Sequence, residues 1–197
     1  ISLQTSIPFI SHQKIEDERF LYWCDMKGML VWSEMAATYH FSDIAVEEFT
    51  KEWMEIVKQN YSHPCIITWT PFNESWGVSQ IKTKKKQQNF TEAIYYLTKT
   101  FDPYRPVIVN DGWEHTISDI LTLHDYEEIG EVLFQRYETE KDKILHGEVY
   151  HNHHKSALAN GYEYKGQPII ISEYGGIAFN NDDRGWGYRS EERRVGK

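Results

Sequence analysis

Two glutamates carry the strongest chemical signal in this 197-residue chain, Glu74 and Glu173. Glu74 follows the apolar run Cys65–Trp69 within Thr70-Pro71-Phe72-Asn73-Glu74-Ser75-Trp76-Gly77, and Glu173 follows Ile169–Ser172 within Glu173-Tyr174-Gly175-Gly176. Each stands where a short apolar segment ends, in a frame of Trp or Tyr. Two carboxyl groups flanking one bond are what glycoside hydrolysis requires: one, protonated, gives its proton to the leaving oxygen, and the other, ionised, attacks or activates water. Neighbouring like charges disfavour double ionisation, so one of the two pKa values is pushed up. A lone Glu after a strand reads as a surface residue; a pair so framed is harder to explain that way.

Other polar and aromatic residues share the strand-end position. Met29–Trp32 runs into Ser33-Glu34, Val107–Val109 into Asn110-Asp111-Gly112-Trp113, and Ile120–Leu123 into His124-Asp125-Tyr126. Asp111 reads as a substrate contact or a turn cap. His124 reads as a contact to a sugar hydroxyl or a structural hydrogen bond. Trp113 and Trp76 read as stacking platforms or packing, and Glu34 as a pocket-lining group or, preferably, the salt-bridge partner of a neighbouring barrel residue. His151, His153 and His154 lie in a polar stretch without Cys or carboxylate at metal-ligand spacing, which predicts exposed imidazoles and no metal site.

The elements that must position these residues alternate. Helices are expected over Asp17–Lys27, with Gly28 as the stop, over Ile44–Asn60 with Ser42 or Asp43 as cap, over Lys84–Phe101 and over Glu127–Leu145. Phe49, Trp53, Ile56 and Val57 form one apolar stripe, and Phe90, Ile94, Leu97 and Phe101 another. Strands are expected at Met29–Trp32, Cys65–Trp69, Val107–Val109, Ile120–Leu123 and Pro168–Ser172. Short strands that are apolar on both faces, separated by amphipathic helices, make an α/β fold with a parallel sheet covered by helices. In a (β/α)₈ barrel the reacting groups sit at the C-terminal ends of such strands. No Gly-rich phosphate loop follows any of them.

A net charge of −9, from 21 basic and 30 acidic residues, argues against nucleic acid as a partner. No apolar run is long enough to span a membrane, so no membrane partner is expected, and Ile1–Lys14 does not read as a signal peptide. Cys24 and Cys65 are expected to be buried free thiols. Unpaired thiols tilt an otherwise open localisation slightly toward the cytoplasm.

The stretches HQKIEDERFLYWCDMKGMLVWSEM, HPCIITWTPFNESWG, YRPVIVNDGWEHT, LTLHDYE and PIIISEYGG resemble the catalytic TIM-barrel domain of glycoside hydrolase family 2, in family order over about residues 12–176. The resemblance implies a retaining mechanism, with Glu74 as acid/base and Glu173 as the nucleophile. Asn73 would bond the sugar 2-hydroxyl and Tyr126 would lie near the nucleophile; His124, Trp113 and Asp111 join them as substrate-binding candidates. The substrate would be a terminal β-linked sugar, with β-galactosidase-like specificity expected first and β-glucuronidase or β-mannosidase specificity as the alternative. A non-catalytic carbohydrate-binding protein is the competing class. No cofactor is required by this chemistry; some family members bind a divalent or sodium ion near the site, and no pattern here identifies ligands for one. The parent enzyme is open to homo-oligomerisation.

Against the eight-stranded family barrel, the chain holds strands three to seven, with strands one, two and eight missing or unrecognisable. Residues 1–11 match poorly, 12–188 make the partial barrel, and 189–197 fit no helix or strand pattern and match a translated sequencing adapter. An open barrel exposes two sheet edges and apolar faces. The polypeptide as written is therefore expected to aggregate and to be inactive; a soluble, cooperatively unfolding monomer that cleaves an aryl glycoside would overturn that.

Overall fold

The computed structural model describes residues 9–152 and 154–175, and the backbone of 177–178 and 189–190. The elements are β1 (Phe9–Ser11), α1 (Glu18–Lys27), β2 (Val31–Glu34), α2 (Asp43–Asn60), β3 (Ile66–Thr70), β4 (Phe72–Asn73), α3 (Lys85–Phe101), β5 (Asn110–Asp111), β6 (Leu121–Asp125), α4 (Gly130–Phe134), α5 (Lys141–Leu145), β7 (Ile169–Tyr174), β8 (Ile177–Ala178) and β9 (Arg189–Ser190). The helix ends follow local chemistry. Asp17 accepts the Arg19 N–H at 2.9 Å to open α1, and Gly28 closes it at φ 67°. Ser42 accepts the Ala45 N–H at 3.1 Å to open α2.

The strands pair in parallel, in chain order. β1 pairs β2 and β2 pairs β3. The chain after β3 runs on as β4 beside β5, with a bridge from Trp69 to Val107 joining the two groups. The His124 N–H then bonds the Gly112 carbonyl at 3.1 Å, linking the end of β5 to β6, and β6 pairs β7. Every strand-end group named above therefore lies at one rim. One apolar cluster, with Trp53, Val57, Ile66, Trp69, Ile94 and Val107, fills the space under α1–α3; a second forms around Leu121, Leu123, Ile144 and Leu158.

Four local expectations change. Phe9–Ser11 is a strand, although three residues are too few to show a period; pairing to Val31–Ser33 decides it. The strand expected at Val107–Val109 is a bridge at Val107 with the ladder at Asn110–Asp111, because the Asp119 and Ser118 side chains take the Val107 and Val109 N–H groups. The helix expected over Glu127–Leu145 is α4 and α5 joined by a π-helical turn, Gln135–Thr139, whose Arg136 and Tyr137 side chains both reach back to Asp125. Arg189–Ser190, expected to fit no strand, pairs in parallel with Ile177–Ala178; the rest of 189–197 lies outside the described residues.

Phe49 of α2 stacks on Phe72 at 4.7 Å and 10°, one residue before Asn73. In the full-length parent, Phe49→Ala is expected to cost about 3–5 kcal/mol, read as a lower urea midpoint at unchanged slope. An unchanged midpoint would show that this stack does not hold the strand.

Candidate active site

Glu74 leaves β4 in a constrained backbone. Glu74 and Ser75 have φ of 50° and 59°, a left-handed conformation that costs a non-glycine residue about 1–2 kcal/mol. Three bonds hold the turn: the Glu74 N–H to the Asp111 carbonyl at 2.9 Å, the Ser75 N–H to Asn110 Oδ1 at 2.9 Å, and the Trp76 N–H to the Asn73 carbonyl at 2.9 Å. Strain kept in place by its surroundings clusters at functional sites.

Glu173 arrives from the opposite side on β7. The β6–β7 register slips after Leu123: Leu123 pairs Ile171 but His124 pairs Glu173, leaving Ser172 as an extra residue. Such a bulge re-aims side chains. Ser172 Oγ consequently donates to Asp111 Oδ1 at 2.6 Å, while the next residue, Glu173, also faces the rim.

The two glutamates meet at Tyr126. Its one hydroxyl proton makes a short bond to Glu173 Oε2 and is shared with Glu74 Oε1 at 3.1 Å. One carboxylate oxygen from each glutamate and a His124 ring nitrogen lie within 4.8 Å of one another. Burial, the Glu173 bond and the two negative charges push the Tyr126 hydroxyl far above its ordinary pKa, so it remains a donor.

His124 lies beneath the pair with no exposed surface. Nδ1 is 2.8 Å from Glu74 Oε1 and 3.7 Å from Glu173 Oε2, and Nε2 is 3.3 Å from Asp111 Oδ2. Burial alone would discharge the imidazole, but the Asp111 and Glu74 contacts outweigh it and raise its pKa to about 10. Asp111 is likewise fully buried; the desolvation cost is outweighed by His124 and Ser172, which hold its carboxyl below the ordinary range. Gly112, at φ 101°, makes room for the ring, since a Cβ there would stand 2.6 Å from His124 Nδ1. Of the two readings open for each, the geometry shows the structural side: His124 Nδ1 and Asp111 Oδ1 are bonded to protein groups and neither side chain reaches the surface, while His124 Nε2 and Asp111 Oδ2 have no hydrogen-bond partner among the described residues.

Asn73 and Trp113 differ. Asn73 is 1 % exposed, and neither amide atom has a hydrogen-bond partner among the described residues; Trp113 Nε1 also lacks one. Buried polar atoms left this way suit a ligand's hydroxyls. Trp113 packs edge-on to His124 at 5.7 Å with the Lys155 ammonium 5.2 Å from its ring, whereas Trp76 is 45 % exposed against Tyr39.

Three residues near the site escaped the sequence reading or were misplaced by it. His12 Nδ1 is 3.3 Å from Glu173 Oε1 and 3.5 Å from Glu34 Oε1. It follows β1, the strand too short to be seen. Ser172 matters only through the bulge. His151, expected in solvent, is buried and meets the Gly112 carbonyl at 3.1 Å, and burial lowers its pKa to about 4. His154 is exposed, and His153 lies outside the described residues. Away from the rim, Asp25, His63 and Cys65 also bring three donor atoms within 4.8 Å, but Asp25 already spends its oxygens on His63 Nδ1 at 2.6 Å and the Cys65 N–H at 2.8 Å. That arrangement fits a clamp between α1 and β3 rather than an ion.

A family model described as "Glycosyl hydrolases family 2, TIM barrel domain" matches residues 11–184. Among curated proteins, the chain is similar to a β-glucuronidase of Chlorocebus aethiops, 25% identical over 84% of this chain and 25% of that protein. One from Rattus norvegicus is 24% identical over 82% of this chain and 24% of that protein. The chain thus spans about a quarter of the length of these relatives. Among solved structures, a family 2 β-galacturonidase from Eisenbergiella tayi bound to galacturonate superposes with a TM-score of 0.66 at 22% identity, covering 89% of this chain and 30% of that one.

Glu34 supplies a test of the site's electrostatics. It is fully buried; desolvation first, then the charges of Asp111 and Glu173, raise its pKa from 4.5 to about 8. Its shortest contact is the Gln13 N–H at 2.6 Å; His12, beyond the neighbouring strand, meets the same oxygen at 3.5 Å, the ion-pair geometry expected of it when that imidazole is charged. Folded Glu34 keeps its proton up to about pH 8 while the unfolded chain releases it near 4.5, so its contribution to stability falls as pH rises through that window. In the parent protein, Glu34→Gln is expected to flatten the loss of stability between pH 5 and pH 8, measured as urea midpoints. Parallel pH curves would reject the buried neutral acid.

Proposed function

The chain belongs to glycosyl hydrolase family 2 and carries that family's TIM-barrel domain, and from this membership we propose that it is the catalytic portion of a retaining β-glycosidase. The observation that carries the proposal is the Glu74–Tyr126–Glu173 contact, with carboxylate oxygens of the two glutamates within 4.8 Å. Retaining enzymes hold their carboxyl groups about 5–5.5 Å apart, whereas inverting enzymes leave about 6.5–9.5 Å for a water.

In this mechanism Glu173 attacks the anomeric carbon as Glu74 gives its proton to the glycosidic oxygen, and the aglycone leaves as an alcohol. Glu74 then takes a proton from water, whose oxygen displaces Glu173 from the sugar. Tyr126 donates to Glu173 while that carboxylate is charged. Asn73, buried with neither amide atom partnered among the described residues, offers hydrogen bonds to the sugar. The substrate is a terminal β-linked sugar, and the relatives favour a hexuronide. The β-galactosidase-like specificity expected first finds no support among them: the curated relatives are β-glucuronidases and the structural neighbour is a β-galacturonidase.

The test uses the full-length parent with aryl β-glucuronide, β-galacturonide, β-galactoside and β-mannoside. Turnover of a hexuronide with a β-configured first product in proton NMR is expected. Glu74→Ala is expected to lower turnover by about 10²–10⁴-fold, partly restored by azide. An α-configured product would reject retention, and preference for the galactoside would reject the sugar assignment.

A further inference from the structure

We infer that His124 is a positioning residue that acts through Glu74: the buried chain Ser172–Asp111–His124–Glu74 holds the acid/base carboxyl so that one of its oxygens is committed to the protein and the other to the substrate. The inference rests on the acid/base role proposed for Glu74. Four observations carry it. His124 has no exposed surface and lies beneath the two glutamates. Its two ring nitrogens face two different carboxylates, Nδ1 at 2.8 Å from Glu74 and Nε2 at 3.3 Å from Asp111. Asp111 is itself anchored by the Ser172 hydroxyl at 2.6 Å. Gly112 lies flat against the ring, where any Cβ would drive the imidazole out of place.

Both His124 Nδ1 and the Tyr126 hydroxyl bond the same oxygen of Glu74, Oε1. A carboxyl group gripped twice at one oxygen does not rotate freely, and Oε2 is left to carry the proton. On glycosylation the proton passes from Oε2 to the glycosidic oxygen as the bond from that oxygen to the sugar breaks. On deglycosylation Oε2 takes a proton from the attacking water. His124 neither gains nor loses a proton in either step. Asp111 Oδ2, 3.3 Å from Nε2, balances the imidazole on its far side, so the ring can donate from Nδ1 without leaving a charge buried alone. Held geometry of this kind matters because small misplacement of a reacting group costs rate steeply.

The signature that separates this role from general support of the fold is its dependence on the leaving group. Help from an acid matters most when the departing oxygen is basic. In the full-length parent, His124→Leu is expected to lower kcat/KM about 10²-fold for a phenyl glycoside while leaving a dinitrophenyl glycoside of the same sugar little changed. His124→Asn, which returns an amide donor near the Nδ1 position, is expected to recover most of the phenyl activity. If His124→Leu does not fold, Asp111→Asn loosens the same ring from behind and must show the same leaving-group dependence. Equal losses on both substrates, or no recovery with Asn, would overturn the inference while leaving the glycosidase reading intact. A parent protein that hydrolyses neither substrate would overturn that reading, and this inference with it.

Discussion

Four carboxyl groups, Glu34, Glu74, Asp111 and Glu173, crowd around the imidazole of His124, and the rest of the site depends on how that charge is accommodated. Two carboxylates about 5 Å apart repel by about 3 kcal/mol at the effective dielectric of a protein surface, and burial adds desolvation. Each group is relieved differently. Glu34 stays protonated, its pKa raised to about 8. Asp111 stays ionised because His124 and Ser172 attend it. Glu74 and Glu173 share the Tyr126 hydroxyl. One buried cation and one phenol thus allow two carboxylates to face the same small volume, which is what double displacement at a sugar carbon needs.

The fold serves this cluster with irregular features set on regular ones. Parallel strands bring the groups to one rim, but the exceptions aim them: left-handed backbone at Glu74 and Ser75, a bare Cα at Gly112, and an extra residue at Ser172. The helices fix the strands from outside. Phe49 stacks on Phe72, Trp53 donates to Thr98 at 2.8 Å, and Trp69 donates to Asp102 at 2.9 Å. Local strain at the rim is tolerable because the layer behind it is densely packed and aromatic.

Much of this was legible in the sequence because it is local. Asp17, Gly28 and Ser42 mark helix ends by groups that bond within four residues, and the stripe of Phe49, Trp53 and Val57 shows its helix by period alone. Glu74 and Glu173 stand out because a polar aromatic frame after an apolar run is unusual at one strand and harder to explain at two. The strand at Phe9–Ser11, the π turn at Gln135–Thr139 and the burial of His151 left no such trace. Each is decided by a partner beyond the reach of a local period: Val31–Ser33 for the first, Asp125 for the second, the Gly112 carbonyl for the third.

The amino-acid order by itself determined the alternation of strands and helices, the two glutamates at strand ends and the class of chemistry they suit, because side-chain period and turn chemistry act over a few residues. Only the tertiary structure decided how deep each of these strand-end groups lies and which protein groups it meets. His124 and Asp111 sit at strand ends like any substrate contact; a register slip in β7 and the absent Cβ of Gly112 turn them inward. Asn73, equally buried, has neither amide atom partnered among the described residues, whereas His124 and Asp111 each keep one bonded polar atom. That division depends on distances between strands, which no stretch of sequence contains.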